Sequence, residues 1–419
     1  MFESSSLSQA WSWLFAALIC LGLLLKLWLA SRQIRHVARH RGQVPAPFAA
    51  RISLAAHHKA ADYASAKLRL GVLEMALGTA VLVGWTLLGG LNALNQALLA
   101  WLGGGMVQQL SLLVSFALIG GLLELPLSMY HTFVLEQRFG FNQMGWRLWL
   151  ADLLKSTLVG LVLGLPMAAL VLWLMAAAGA LWWLWAWGAW VGLNLLLMVI
   201  YPTFIAPLFN RFQPLQDEVL QARVSALMQR CGFSAKGLFV MDGSRRSAHA
   251  NAYFTGLGRA KRVVFYDTLL AQLEPAEVEA VLAHELGHFK HRHVTWRLVQ
   301  MFALSLLGFA LLGWLSARGW FYTGLGVTPN LSLDGSAPND ALALLLFLLR
   351  IPTMKPAPAL TRSSLTVMRK PVGRPIFVAS SESEYCVLAM QTGILSKPSP
   401  SISLSCFLAA GVKSTPSPP

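Results

Sequence analysis

Charge is scarce in this sequence. Only 12% of its 419 residues are Asp, Glu, Lys or Arg, where soluble globular proteins carry roughly 25%. That deficit argues against a soluble cytoplasmic enzyme and, with the rest of the composition, excludes disordered and collagen-like classes. Cysteine is scarce too. The four residues Cys20, Cys231, Cys386 and Cys406 are scattered with no CxxC pair, so neither a disulfide scaffold nor a cysteine-based metal site is supported. Acids are the rarer sign, 18 against 33 bases, which leaves a net charge of +15. No zinc-finger spacing and no Arg/Gly/aromatic tract accompanies that excess. It is therefore read as basic loops that orient membrane helices, not as a nucleic-acid surface.

What the chain has in abundance is apolar sequence. Hydrophobic residues make up 56% and the mean hydropathy is +0.57. Six runs are long enough to cross a bilayer: Trp11 to Ala30, Leu70 to Trp85 and on toward Leu94, Leu110 to Met129, Leu153 to Met175, Leu181 to Tyr201, and Leu298 to Trp314. The first is preceded by Glu3 and followed by bases. That is the reverse of a cleaved signal peptide, so it is expected to be a retained anchor with its N-terminus outside. The loop at 31–69 holds eight bases, and the one at 130–148 holds Arg138 and Arg147, while 99–107 and 176–180 are uncharged. By the positive-inside rule, 31–69, 130–148 and 202–296 face the cytoplasm. Glu74 and Glu124 fall inside apolar runs, and such groups usually face a bundle interior or a watery cavity.

The expected organisation has four parts. Residues 1–201 form a transmembrane region with five spans. Residues 202–296 form a cytosolic catalytic segment. Residues 297–349 hold the sixth span, a loop and the start of a seventh. Residues 350–419 form a Ser/Pro-rich basic tail. The seventh run starts at Ala341 and stops at Arg350, too short to span. From Arg350 onward come ten of the twenty prolines, twelve serines, and eight bases against two acids. Such composition reads as disordered. Two origins are open, a native tail or a change of reading frame near Leu349–Arg350, and the loss of a span in mid-helix favours the second.

The polar stretch 202–296 carries the chemistry. Gly237–Met241 and Arg262–Tyr266, rich in β-branched and aromatic residues, predict short strands with a turn at Asp242-Gly-Ser. Glu274-Pro-Ala-Glu predicts a helix start, followed by Val278, Val281, Leu282 and Leu286 at helical spacing. That helix contains His284-Glu285-Leu286-Gly287-His288, an HExxH. Histidines at i and i+4 share one helix face and can hold one Zn²⁺. The glutamate between them is placed to take a proton from water that the ion acidifies, which is peptide hydrolysis without a covalent intermediate. The competing reading is a pair of surface histidines on a charged helix, with His291 and His293 following.

Four stretches together resemble the type I CAAX prenyl protease family of integral-membrane zinc endopeptidases. They are Phe133–Asn142, Pro202–Asn210, Asp242–Gly256 and His284–His293, and the resemblance covers roughly residues 50 to 349. It implies a helical membrane bundle around a large chamber, closed by a zincin-like α+β segment, which here means six complete spans plus a truncated seventh. It implies one zinc ion on His284 and His288, Glu285 as general base, and cleavage of membrane-associated or CAAX-type C-terminal peptides. In the family an edge strand beside the zinc pairs with substrate. The resemblance places that strand at Ser247–Thr255, with Asn251, Ala252 and Tyr253 as substrate-binding residues; an ordinary structural strand is the competing reading. The implied partners are a peptide or membrane-protein substrate and the lipid bilayer.

The family's third ligand is a glutamate beyond the sixth span in a Glu-Ala-Asp type motif. Downstream of His288 the first glutamates are Glu382 and Glu384, in the tail and without that motif, and no histidine follows His293. Asp334 and Asp340 fall in a loop expected outside the cytoplasm. Two further readings stay open: an inactive truncated homologue that binds membrane peptides, and a shorter heat-shock type quality-control protease. The expected location is a bacterial inner membrane, with the catalytic segment on the cytoplasmic side.

Overall fold

The computed structural model describes residues 2–50, 52–256, 261–328 and 340–350. In chain order the helices are α1 Phe2–His40, α2 Leu54–Trp85, α3 Gly90–Leu102, α4 Met106–Tyr130, α5 Gln137–Phe139, α6 Trp146–Ala177, α7 Trp182–Ile200, α8 Ala206–Phe209, α9 Glu218–Arg230, α10 Asp267–Gln272, α11 Pro275–Lys290, α12 His293–Ser316, α13 Gly319–Thr323 and α14 Asp340–Arg350. The strands are β1 Phe212–Pro214, β2 Leu238–Met241, β3 Ala252–Thr255 and β4 Arg262–Tyr266. The chain divides into two compact units. Among the described residues, one takes in those up to Asn194 together with 302–350, and the other is Leu195–Met301.

Six helices are long and apolar enough to cross a membrane, as expected. They overrun the apolar cores read from hydropathy. α1 continues to His40 and α2 begins at Leu54, because hydropathy marks only the part of a helix that sits in hydrocarbon. The second run does not continue toward Leu94. It breaks at Thr86–Gly89, where Gly89 is left-handed (φ 75°), and α3 follows as a separate helix through the stretch 99–102 expected to be loop.

Within the first unit the loops sort to two ends. At one end Arg41 pairs with Asp62 and the Tyr63 hydroxyl donates to Glu136 Oε1 at 2.7 Å, so 31–69 and 130–148 lie together. At the other end Ser12 donates to the Gly324 carbonyl at 2.6 Å, Thr328 Oγ1 donates to Asn92 at 2.6 Å, and the Ala341 amide donates to Gln109 at 3.3 Å. Gly326 (φ 74°) approaches the Thr86–Gly89 turn so closely that a Cβ there would lie 2.5 Å from the Thr86 carbonyl oxygen. Burial follows the same division. A large cluster at the second end includes Leu91, Leu112, Leu172, Phe321 and Tyr322, and a smaller one at the first end holds Leu70, Leu135 and Phe139. In the most apolar stretch of each span only 6–17% of the residues are buried. Glu74 is half-buried and Glu124 exposed there.

The truncated seventh run is α14. Its 11 residues reach about 16 Å against a hydrocarbon core of roughly 30 Å. Ala341, Leu342, Ala343, Leu345 and Leu346 expose 2% or less, inside the larger cluster. The tail from residue 351 onward, with Glu382 and Glu384, and also Asp334, lie outside the described residues.

The second unit is built on a four-stranded sheet of order β1-β2-β4-β3, with β2 and β4 parallel and both outer pairs antiparallel. Side chains alternate between its faces. Leu238, Ala252, Val263 and Phe265 point into a core with Val224 of α9 and Val278, Leu282 and Leu286 of α11. Met241, Tyr253 and Val264 occupy the opposite face. β3 is an edge strand, as expected, but shorter than Ser247–Thr255. The residues before it are held by α10 instead: Thr268 Oγ1 donates to the His249 carbonyl at 2.8 Å and Gln272 Nε2 to the Ala248 carbonyl at 3.2 Å.

Candidate metal centre

α11 starts where the sequence places it. Glu274 caps the helix, its backbone N–H donating to Glu277 Oε2 at 2.9 Å while its side chain accepts from the third helical N–H. Pro275 fills the first helical position, where its missing N–H costs nothing. Val278, Leu282 and Leu286 recur every four residues and lock one face into the sheet core. Glu279 receives Arg223 at 3.0 Å and Arg230 at 3.6 Å from α9, which fixes the helix about its axis.

With that face fixed, His284 and His288 stand together one turn apart. Their ring centroids are 5.0 Å apart and the planes cross at 80°. Glu285 is 8% exposed beside them. The His288 imidazole is pushed down to about 4, first by burial and then by His284 and the other bases around it. It is therefore neutral at pH 7, the form that binds metal. Two imidazoles and an adjacent carboxylate fit two corners of a zinc site and its general base. Among the described residues, no group of three or more His, Cys, Asp or Glu is arranged to hold a metal ion.

β3 packs against α11, so the edge strand lies beside the HExxH helix. Ala252 and Tyr253 are buried, and Asn251 is 6% exposed just before the strand. Asn251 Oδ1 accepts the Ala252 N–H at 2.9 Å, and its carbonyl accepts from Tyr266 at 3.0 Å. All three are buried, Ala252 and Tyr253 on opposite faces of the sheet.

Several contacts escaped the sequence reading. Arg246 donates to Asn210 Oδ1 at 2.8 Å and to the Phe209 carbonyl, and Asp242 Oδ1 accepts the Arg211 N–H at 2.7 Å. These bonds join the Pro202–Asn210 and Asp242–Gly256 stretches, so two of the four segments behind the resemblance form one structural piece. Lys261 sits 4.0 Å above the Phe289 ring and 5.1 Å above Phe233, at the C-terminal end of α11. Burial lowers its pKa. No spacing rule would have paired these residues.

Together, a set of membrane-length helices and a sheet-backed HExxH helix define a polytopic membrane protein of the metallopeptidase class. The comparisons make this particular. Residues 33–211 match the CAAX prenyl protease N-terminal model of five membrane helices, and residues 214–350 match peptidase family M48. The chain belongs to the CAAX prenyl protease family of M48 peptidases. It is 39% identical to the CAAX prenyl protease 1 homolog of Oryza sativa subsp. japonica over 223 residues, 52% of this chain and 50% of that protein. It is 36% identical to CAAX prenyl protease 1 of Saccharomyces cerevisiae over 222 residues, 53% and 49% of the two. The chain spans about half the length of the curated relatives it matches. The crystal structure of S. mikatae Ste24p superposes with a TM-score of 0.74 at 28% identity, covering 83% of this chain and 82% of that one.

The five-helix model over 33–211 disfavours the shorter heat-shock type. The relatives named here are eukaryotic and lend no support to a bacterial inner membrane. What stands is a multi-pass integral membrane protein. The M48 match ends at residue 350, where the composition changes.

Proposed function

We propose that this chain carries the machinery of a membrane zinc endopeptidase acting on membrane-associated or CAAX-type C-terminal peptides. The observation that carries it is the pair His284 and His288 on the buried-backed α11, with Glu285 beside them. His284 and His288 hold the ion, and residues 202–296 are the catalytic segment on the cytoplasmic side. A bound zinc ion acidifies water and polarises a carbonyl. Glu285 takes the proton from the attacking water and delivers it to the leaving amide nitrogen, so that water and peptide become acid and amine. β3, the outermost strand of the sheet among the described residues, adds an extended substrate as a further strand and holds its scissile bond over α11. Glu74 and Glu124, within the spans, face a hydrated cavity.

The test is cleavage of paired peptides, prenylated and unprenylated, by the purified chain in lipid nanodiscs, with zinc content measured on the same sample. Zinc at one ion per chain with chelator-sensitive cleavage supports the reading. Cleavage unaffected by Glu285→Gln overturns it.

A second outcome would be an inactive chain: among the described residues, no group of three or more His, Cys, Asp or Glu is arranged to hold a metal ion. Zinc far below one per chain with no cleavage supports it. Resequencing codons 340–419 in all three frames then separates the two origins of the tail. A Glu-x-x-x-Asp helix completing α14 in another frame marks a frameshift.

A further inference from the structure

α11 ends at Lys290 with His291 as its cap, and Arg292 then adopts φ 54°, the only positive φ among the described non-glycine residues. On a continuous helix, five residues turn the chain by about 500°, which would leave His293 about 140° around the axis from His288. The left-handed turn at Arg292 brings it back instead. His293 Nδ1 lies 2.9 Å from His288 Nδ1, with ring centroids 5.1 Å apart. His291 stacks on His293 at 5.7 Å and 21°.

Two like ring nitrogens can share a hydrogen bond only if one carries the proton and the other is bare. Two neutral arrangements exist. If His293 donates, His288 must carry its own proton on Nε2, and both of its nitrogens are engaged. If His288 donates through Nδ1–H, its Nε2 keeps a free lone pair. Only the second leaves His288 able to bind a metal.

We propose that His293 is the positioning residue for His288: its Nδ1 accepts the His288 Nδ1–H, which fixes the ring orientation and the tautomer that presents Nε2. This rests on the reading of His284 and His288 as zinc ligands. Metal-binding histidines usually donate their second nitrogen to a carboxylate, a carbonyl or water. Residues 289–297 hold Lys290, Arg292 and Arg297 and no acid. An imidazole therefore supplies the acceptor that a carboxylate supplies elsewhere.

The experiment uses the full chain in detergent, labelled with ¹⁵N-histidine. The tautomer of His288 is read from ring ¹⁵N shifts without metal, its signals identified by their loss in His288→Gln. The expected result is Nδ1–H in the parent chain, and a shift toward Nε2–H in His293→Phe. Competition against a chelator should show zinc affinity falling about 10–100-fold in His293→Phe, with partial recovery in His293→Asn, whose carbonyl can accept the same proton. Finding His288 as Nε2–H in the parent chain overturns the proposal. So does an unchanged tautomer and zinc affinity in His293→Phe. A parent chain that takes up no zinc, yet holds His288 as Nδ1–H, overturns the zinc-ligand reading instead and leaves the pairing standing. If His293→Phe fails to fold, His293→Asn against His293→Ala supplies the same contrast.

Discussion

Around the sheet, Val263, Phe265, Leu269, Val278, Leu282 and Leu286 expose 1% or less. Along α6, Leu154, Leu158 and Val162 each expose 62%. The residue types are nearly the same and the outcomes opposite. The sheet unit buries its apolar side chains as a fold in water does, and each buried side chain contributes about 1.5–3 kcal/mol. The spans gain nothing by hiding leucine, because lipid tails are as apolar as leucine itself. Exposing an apolar side chain thus costs free energy in water and little in lipid. The same contrast governs charge. Glu285 is buried among the elements of a compact core, whereas Glu124 stands exposed on a helix of membrane length.

The comparison can be tested from its strongest point downward. Glu285→Gln should cut peptide turnover by about 10²–10⁴-fold while zinc content is kept; wild-type turnover in this variant would remove Glu285 from the chemistry. Leu282→Ala should lower the unfolding free energy of the sheet unit by about 2–5 kcal/mol. Leu158→Ala in α6 should leave thermal unfolding in detergent nearly unchanged, and an equal loss at both positions would mean that this face of α6 is packed against protein. Gly326→Ala should cost roughly 1–3 kcal/mol, since the residue must hold a positive φ and its Cβ would meet the Thr86 carbonyl. The smallest effect belongs to the α11 cap. Glu277→Ala removes half of the Glu274–Glu277 reciprocal pair and should cost about 1 kcal/mol, read as a modest drop in unfolding temperature.

Much of the fold was legible because two solvents imprint two patterns. Long apolar runs marked the six spans, and β2, β4 and α11 showed through alternation and four-residue spacing. The ends of the spans were not legible, since α1 and α2 continue as helix through basic segments that hydropathy reads as loop. α3 was hidden because Gly90–Leu102 is apolar enough to look like the tail of the span before it. α9 carried a usable sign that went unread: Asp217 caps it, accepting the Leu220 N–H at 2.9 Å, and Leu220, Val224 and Leu227 recur at helical spacing. At the candidate site, the proposed residues His284, Glu285 and His288 could be picked out from spacing alone. The neighbour of His288 could not, because the backbone reversal at Arg292 leaves no sign in residue types. The burial of Asn251, Ala252 and Tyr253 was also hidden, because alternation tells which residues share a face and not which face is covered.

The bonds from Arg246 to Asn210 and Phe209 have an evolutionary corollary. A guanidinium held between a side-chain amide and a main-chain carbonyl tolerates loss of neither partner's geometry. Changing Asn210 to an apolar residue would remove one acceptor of the Arg246 guanidinium, and shortening Arg246 would take this donor from the Asn210 oxygen. Drift at one position therefore creates selection at the other. Across lineages that keep this architecture, positions 210 and 246 should change together or not at all, although 35 residues of sequence separate them.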